Sequence, residues 1–335
     1  MTAALKGAFA AGITRLKLPM AEHPLRFINS YLIEGGDGYA LVDCGWGTPS
    51  VLGALQAALH DAGVALEDIR QLIVTHHHFD HFGLAGTLAR LHALRVVMHR
   101  LDWIYADVYL RDFETYYHVR DAWLVRNGLD PAACADAGTR VRAAHERLPL
   151  IEPAAMLEGG ELLDIGGRRF DVVWTPGHTP GHICLHDPLE GVFLSGDHIL
   201  GDITPHVGLW NAGDGDVLAD FLASLARVRS LNVKLALPAH RDPVSDVSGR
   251  IDEICRHHNE RQNEILEALG TLSLSAAQTA SRVPWLRTKA AFETLLLPAR
   301  RSAVAETLAH LEHLRSLGAV ERDAAGAVVR YRRVG

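Results

Sequence analysis

Four side chains of the kinds that bind metal ions fall within six residues at His76-x-His78-x-Asp80-His81. The apolar run Leu72-Ile73-Val74 precedes them directly, and Phe82-Gly83 follows. Imidazole and carboxylate groups suit zinc and similar borderline cations, and a strand that runs into a short turn can aim neighbouring side chains at one point. The chemistry offered is metal binding and, where coordination positions stay open, activation of water.

Three further segments place the same residue types in the same setting. Trp174-Thr-Pro-Gly-His178-Thr-Pro-Gly-His182 sets a histidine in a Pro/Gly turn after the run Phe170 to Trp174. Leu194-Ser-Gly-Asp197-His198 sets a carboxylate after Val192 to Leu194, and Pro238-Ala239-His240 follows Leu235 to Leu237. Each candidate thus stands at the end of an apolar run, which is how a sheet collects distant residues at one edge. Tyr39 to Gly45 reads as a buried strand entering a Gly turn. Thr48-Pro49 caps a helix with apolar positions Val51, Leu52, Leu55 and Leu59 and a stop at Gly63. A strand over Leu72 to Val74, a helix over Gly83 to Leu94 and a strand from Val96 repeat the unit, so the first half is a layered α/β arrangement. The second half is richer in strands and reads as a meander with loops at its ends.

With these residues in view, the chain resembles the metallo-β-lactamase fold superfamily over about residues 20 to 245. Asp43 at a Leu-Val-Asp-Cys-Gly strand end, His76-x-His78-x-Asp80-His81, His178, Asp197 and His240 match its motifs in order. The resemblance implies an α/β fold, an αββα sandwich of two mixed sheets flanked by helices, with metals in a shallow cleft at one edge. It also implies that His76, His78 and His178 hold one ion, that Asp80, His81 and His240 hold a second, and that Asp197 bridges them. Asp43 and His182 would support the ligands from behind. The expected cofactors are two divalent ions, zinc first, with manganese or iron as alternatives.

A pair of ions about 3.5 to 4 Å apart shares a hydroxide and makes a nucleophile at neutral pH, with Asp80 orienting it as the catalytic side chain. The expected activity is therefore metal-dependent hydrolysis. True β-lactamases of this fold usually carry Cys or Ser where this chain has Asp197, so the fold name misdescribes the activity. No residue of the core motifs is an obvious general acid, and a thiolate leaves without one, which favours a thioester such as an acyl-CoA or acyl-glutathione, in the manner of glyoxalase II. Lactone or ester cleavage is the alternative within the fold. A metal-containing ligand-binding or regulatory protein is the alternative outside it.

The segment from about residue 100 to 150 departs from a minimal version of the fold. Four of the seven tyrosines lie there, and Tyr105, Tyr109, Phe113 and Tyr116 recur at helical spacing. An amphipathic hairpin packed on the core and a cap over the metals are both compatible with this pattern, and Tyr105, Tyr109 and Tyr116 are candidate substrate contacts. His198 and His206 are further candidates, because their loops could reach the cleft. From 251 to 335 helices over His257 to Leu269 and Ser302 to Leu317, then a hairpin, suggest a winged-helix-like C-terminal domain after a first domain over 1 to 250. The wing arginines Arg330, Arg332 and Arg333 read as a solvated edge or a homodimer contact rather than a DNA surface.

Composition narrows the partners. A net charge of -7 argues against a general nucleic-acid or anionic-membrane binder, leaving a small acyl substrate. Cys44, Cys134, Cys184 and Cys255 are scattered, which indicates reduced thiols and a cytoplasmic protein. The Ala-rich stretch from Ala3 to Gly12 is interrupted by Lys6 and is too short for a membrane segment.

Overall fold

Side chains that alternate between two apolar clusters along largely buried strands sort the chain into layers. The computed structural model describes residues 8–10, 12–21, 23–135, 148–285 and 290–335. The start of the Ala-rich stretch and residues 136–147 of the 100–150 segment lie outside them. The first sheet runs in chain order through β1 (Ala8–Ala10), β2 (Ile13–Pro19), β3 (Phe27–Gly35), β4 (Gly38–Val42), β5 (Ile69–Val74), β6 (Arg95–His99) and β7 (Ala155–Leu157). Its first four strands pair antiparallel, and β4 to β7 pair parallel. The second sheet holds β8 (Leu162–Ile165), β9 (Arg168–Trp174), β10 (Ile183–Asp187) and β11 (Val192–Gly196) as an antiparallel meander, closed by a parallel β12 (Leu235–Pro238).

Successive side chains on a strand point to opposite faces. On β5, Ile73 packs between the sheets while Leu72 and Val74 face outward; on β10, Ile183 and Leu185 pack between them while Cys184 faces outward. Helices cover both outer faces. On the first lie α1 (Pro49–Asp61), α2 (Phe79–Phe82), α3 (Ala85–Leu91) and a hairpin of α4 (Arg100–Arg111) and α5 (Phe113–Arg126). A short α6 (Ala132–Ala135) leads toward the second face, which carries α7 (Val217–Arg229), α8 (Val247–Leu269), α9 (Ala276–Ala280) and α10 (Leu297–Ser316). The four layers form the αββα sandwich that the family resemblance implied.

Local chemistry sets the helix starts. Thr48 accepts a hydrogen bond from the Val51 N–H at the start of α1, with Pro49 in the first turn. Asp112 caps α5, and Asp246 caps α8. At the C-terminal end β13 (Val320–Asp323) and β14 (Arg330–Arg333) form a hairpin, and Leu274 bridges Tyr331. One apolar cluster joins Phe193, Phe221, Ile254, Leu308 and Tyr331, so the C-terminal helices share the core beneath the second sheet. Every residue of α10 from Thr307 to Glu312 is buried. In the hairpin, Arg322 pairs with Glu312 at 3.1 Å and Arg332 with Glu321 at 2.6 Å. No described helix is long and apolar enough to cross a membrane.

Candidate metal centre

The ends of β4, β5, β9, β11 and β12 meet at one edge of the sandwich, and each contributes a polar side chain there. His76, His78, Asp80 and His81 follow β5 through the start of α2; His178 lies in the β9–β10 loop; Asp197 and His240 closely follow β11 and β12. Three groups of these side chains could hold a cation: His76, His78 and His178; Asp80, His81 and His240; and His76, His81 and Asp197. His78 Nδ1 stands 3.0 Å from His76 Nε2 and 3.0 Å from His178 Nε2. Such spacing is about that of donor atoms which each lie about 2 Å from one ion. Asp80 Oδ2 is 3.2 Å from His240 Nε2 and 3.6 Å from His81 Nε2. Asp197 faces both groups, with Oδ2 at 3.6 Å from His178 Nε2 and Oδ1 at 3.6 Å from His240 Nε2.

The outward ring nitrogens are tied down, and this sets which nitrogen keeps a lone pair. His81 Nδ1 donates to Asp43 Oδ2 at 2.7 Å, His178 Nδ1 to the His206 carbonyl at 2.7 Å, and His240 Nδ1 to the Phe27 carbonyl at 3.3 Å. The Thr75 hydroxyl donates to Asp43 and so can accept from His76 Nδ1, 3.1 Å away. In all four rings Nε2 is left to accept a cation. Asp43 has a left-handed backbone, φ 59°, which a non-glycine residue adopts only under local constraint. Its carboxylate answers that constraint by also receiving the Thr75 N–H at 2.8 Å. His182 Nε2 accepts from the Asp197 N–H at 3.0 Å, and Asn29 holds the His240 turn through the carbonyls of Pro238 and Arg241.

The electrostatics call for a cation. His81 Nε2, His240 Nε2 and Asp197 Oδ1 are buried without a hydrogen-bond partner, a costly state that a bound ion relieves. Burial disfavours a charge on His81, yet the carboxylates of Asp80, Asp43 and Asp197 overcome it and push its pKa up to about 10. Three carboxylates thus draw positive charge to this point. Burial and the surrounding imidazoles hold His76 and His78 well below the ordinary histidine range, so both stay neutral donors. Burial opposes ionisation of Asp80, but His81 and His240 outweigh it and keep the carboxyl ionised.

Several other side chains stand apart from the cleft. Tyr109 is not a substrate contact: it is 1% exposed and packed among Phe79, Phe82, Phe113 and Tyr116, where its apolar ring adds most. His198 is fully buried against Phe221, and the His206 ring turns to the Ser302 carbonyl in α10, so neither ring meets the cleft as expected. Tyr116 is buried too, but its hydroxyl receives a hydrogen bond from Arg120 beside the site. Tyr105 does line the neck next to His78 and His178. His77 lines the same neck, stacked on Tyr105 with ring centres 5.2 Å apart, and its Nδ1 turns to Asp102 rather than to the metal-ligand group.

Sequence reasoning missed Asp102, in the first turn of α4. This fully buried carboxylate accepts the His77 N–H at 2.8 Å, Thr179 Oγ1 at 2.8 Å and the Gly181 N–H at 2.6 Å, and pairs with His77 Nδ1 at 3.0 Å. It ties the His76–His81 turn to the His178 loop.

Residues 23–240 match the model of the metallo-beta-lactamase superfamily. The chain belongs to that superfamily. Among solved structures, a metallo-beta-lactamase family protein of Thermus thermophilus superposes with a TM-score of 0.83 at 34% identity, over 98% of this chain and 100% of that one. A beta-lactamase domain protein of Burkholderia ambifaria gives a TM-score of 0.82 at 29% identity, over 97% and 93% of the two chains. The probable metallo-hydrolase YqjP of Bacillus subtilis is 26% identical over 87% of this chain and 88% of its own length. The human acyl-coenzyme A thioesterase MBLAC2 is 30% identical, over 50% of this chain and 57% of that protein. As a member of the superfamily, this protein is a hydrolase with His/Asp clusters able to hold metal.

Proposed function

We propose that the protein is a two-metal hydrolase of acyl thioesters. His76, His78 and His178 would hold one divalent ion, Asp80, His81 and His240 the other, and Asp197 would reach both. Zinc is the first choice, with manganese or iron as alternatives. When bound, such a pair supplies a water activated at neutral pH and polarises a carbonyl oxygen. Asp80 contributes an ionised carboxylate able to orient that water and accept its proton, while Asp43 and the carbonyls of Phe27 and His206 keep the rings aimed. The observation that carries the reading is Asp197, whose two oxygens face different histidine groups at 3.6 Å.

Two observations favour a thioester. One is the similarity to an acyl-coenzyme A thioesterase over half of the chain. The other is Tyr105, the tyrosine beside the ligand histidines. Burial raises its pKa, and so does Asp214, to which its hydroxyl donates at 2.5 Å. A phenol held this way is a poor proton donor to a leaving group, and a thiolate needs none.

The test is a hydrolysis screen of acyl-CoA, acyl-glutathione, lactone and phosphodiester substrates on metal-loaded protein, with ions counted per chain. Thioester turnover with two ions is expected; turnover confined to another class overturns the substrate. Asp80→Ala should lower kcat at least about a hundredfold while the melting temperature moves by only a few degrees. Undiminished turnover would sink the role of Asp80.

A further inference from the structure

The α4–α5 hairpin carries a groove that the metal centre alone does not explain. About 400 Å³ in volume, it is lined on its apolar side by Ile104, Val108 and Val119, whose side chains are 48%, 38% and 49% exposed. Apolar side chains grouped on one face in a concavity of this size suit a ligand better than open water. At its inner end the groove meets Tyr105, Arg120, Asn211 and Asp214. The same four residues line a narrow neck that reaches His78 and His178, so groove and metal centre are joined.

Arg120 stands at the join. Its guanidinium lies 4.7 Å from the ring centres of both Tyr116 and Trp210. It donates to the Tyr116 hydroxyl, while its Nε is buried without a partner. It forms no ion pair with a described carboxylate. Asp214, the carboxylate in the neck, is taken up by the Tyr105 hydroxyl and by Asn211 at 3.1 Å. A guanidinium held between two aromatic faces, with N–H groups unused, is preorganised for a carboxylate or a phosphate.

We propose that the groove seats the apolar chain of an anionic substrate whose negative group docks on Arg120, close to the reacting bond. This rests on the hydrolase reading above and deepens it: the enzyme selects amphiphilic anions over neutral acyl compounds.

Binding tests this apart from turnover. Octanoate, octyl phosphate and octanol are titrated into metal-loaded wild type, Arg120→Gln, Arg120→Lys and Val119→Asn, and followed by calorimetry. In wild type at least one anion should bind about tenfold or more tightly than octanol, the scale of one charge-assisted contact; which anion binds identifies the group. Arg120→Gln should abolish the preference, and Val119→Asn should weaken all three ligands. Should Arg120→Gln lose its fold, Arg120→Lys is read in its place, and its point charge should weaken the anions several-fold. Equal binding of octanol and both anions to wild type overturns the proposal. So does an anion preference that survives the loss of Arg120, since the anion then sits on the metals. An inactive protein that shows the Arg120 effect loses only the hydrolase reading; an active one without it loses only this inference.

Discussion

Asp102 shows how one residue can govern a centre to which it contributes no ligand. Its carboxylate satisfies donors from both histidine loops, and Asp102→Ala would strand them. Each buried donor left unmet costs about 1–3 kcal/mol, so we expect a loss of at least roughly 3 kcal/mol, or on the order of 4 °C in melting temperature for a chain of 335 residues. The diagnostic readout is metal content after dialysis against a weak chelator, which should fall well below that of wild type. Full retention would leave Asp102 a purely structural residue. The sequence discloses His76-x-His78-x-Asp80-His81 because four ligand types crowd into one turn after an apolar run. It hides Asp102, because an aspartate in the first turn of a helix reads as an ordinary partner for the helix dipole. Only folding brings Gly181 to it across 79 positions. Tyr109 misleads in the opposite sense, since helical spacing of aromatics fits a buried face as well as a cleft wall.

At the scale of elements, the turns after strands impose the tightest geometry. Gly196 has φ 50°, and a Cβ there would lie 2.6 Å from His182 Nε2, the atom that accepts the Asp197 N–H. Gly196→Ala should displace His182 and with it Asp197, costing roughly 1–3 kcal/mol by overpacking. We expect reduced metal retention in a chain whose circular dichroism is unchanged; normal retention would show that the turn can give. The strands were legible as short apolar runs bounded by turn residues, whereas the sandwich was implied by the family resemblance that the strand-end motifs carry. Helix lengths were less legible. α8 begins at Val247, well before the expected start at His257: Asp246 caps it, and its buried stripe already runs through Val247, Ile251 and Ile254 before it reaches His258 and Arg261. α10 begins at Leu297 rather than Ser302, and its many buried positions, Arg301, His310 and Glu312 among them, blur any single stripe.

Across the whole molecule the C-terminal helices join the second sheet in one core, and a buried histidine pair lies within it. His258 Nδ1 and His310 Nε2 are 3.2 Å apart. Burial and the neighbouring His310 hold His258 well below the usual range, and burial pushes His310 down to about 4, against the pull of Glu306. His257 and Arg261 also face the pair and act in the same downward direction. With folded pKa values below the unfolded value of about 6.5, the unfolded chain binds more protons as pH falls through that value. Stability should therefore drop from about pH 6.5 toward pH 4, by at most about 1.4 kcal/mol per pH unit for each ring. Urea unfolding at pH 7 and pH 5 checks this: His310→Gln should shrink the difference, while metal loss on acidification is common to both proteins and cancels. An equal difference in the two would show that the pair does not titrate as described. The extent of this shared core was not legible, because the change in character near residue 251 marks a change of sequence pattern without a break in packing. The placement of Asp102 on α4 has a consequence for how such an enzyme can diversify. The first turn of that helix secures the metal loops, whereas Ile104 and Val108, one and two turns on, line the groove. Hairpins exchanged between relatives to change substrate preference must keep their junction beyond Trp103, or the recipient inherits a new pocket and forfeits its metals.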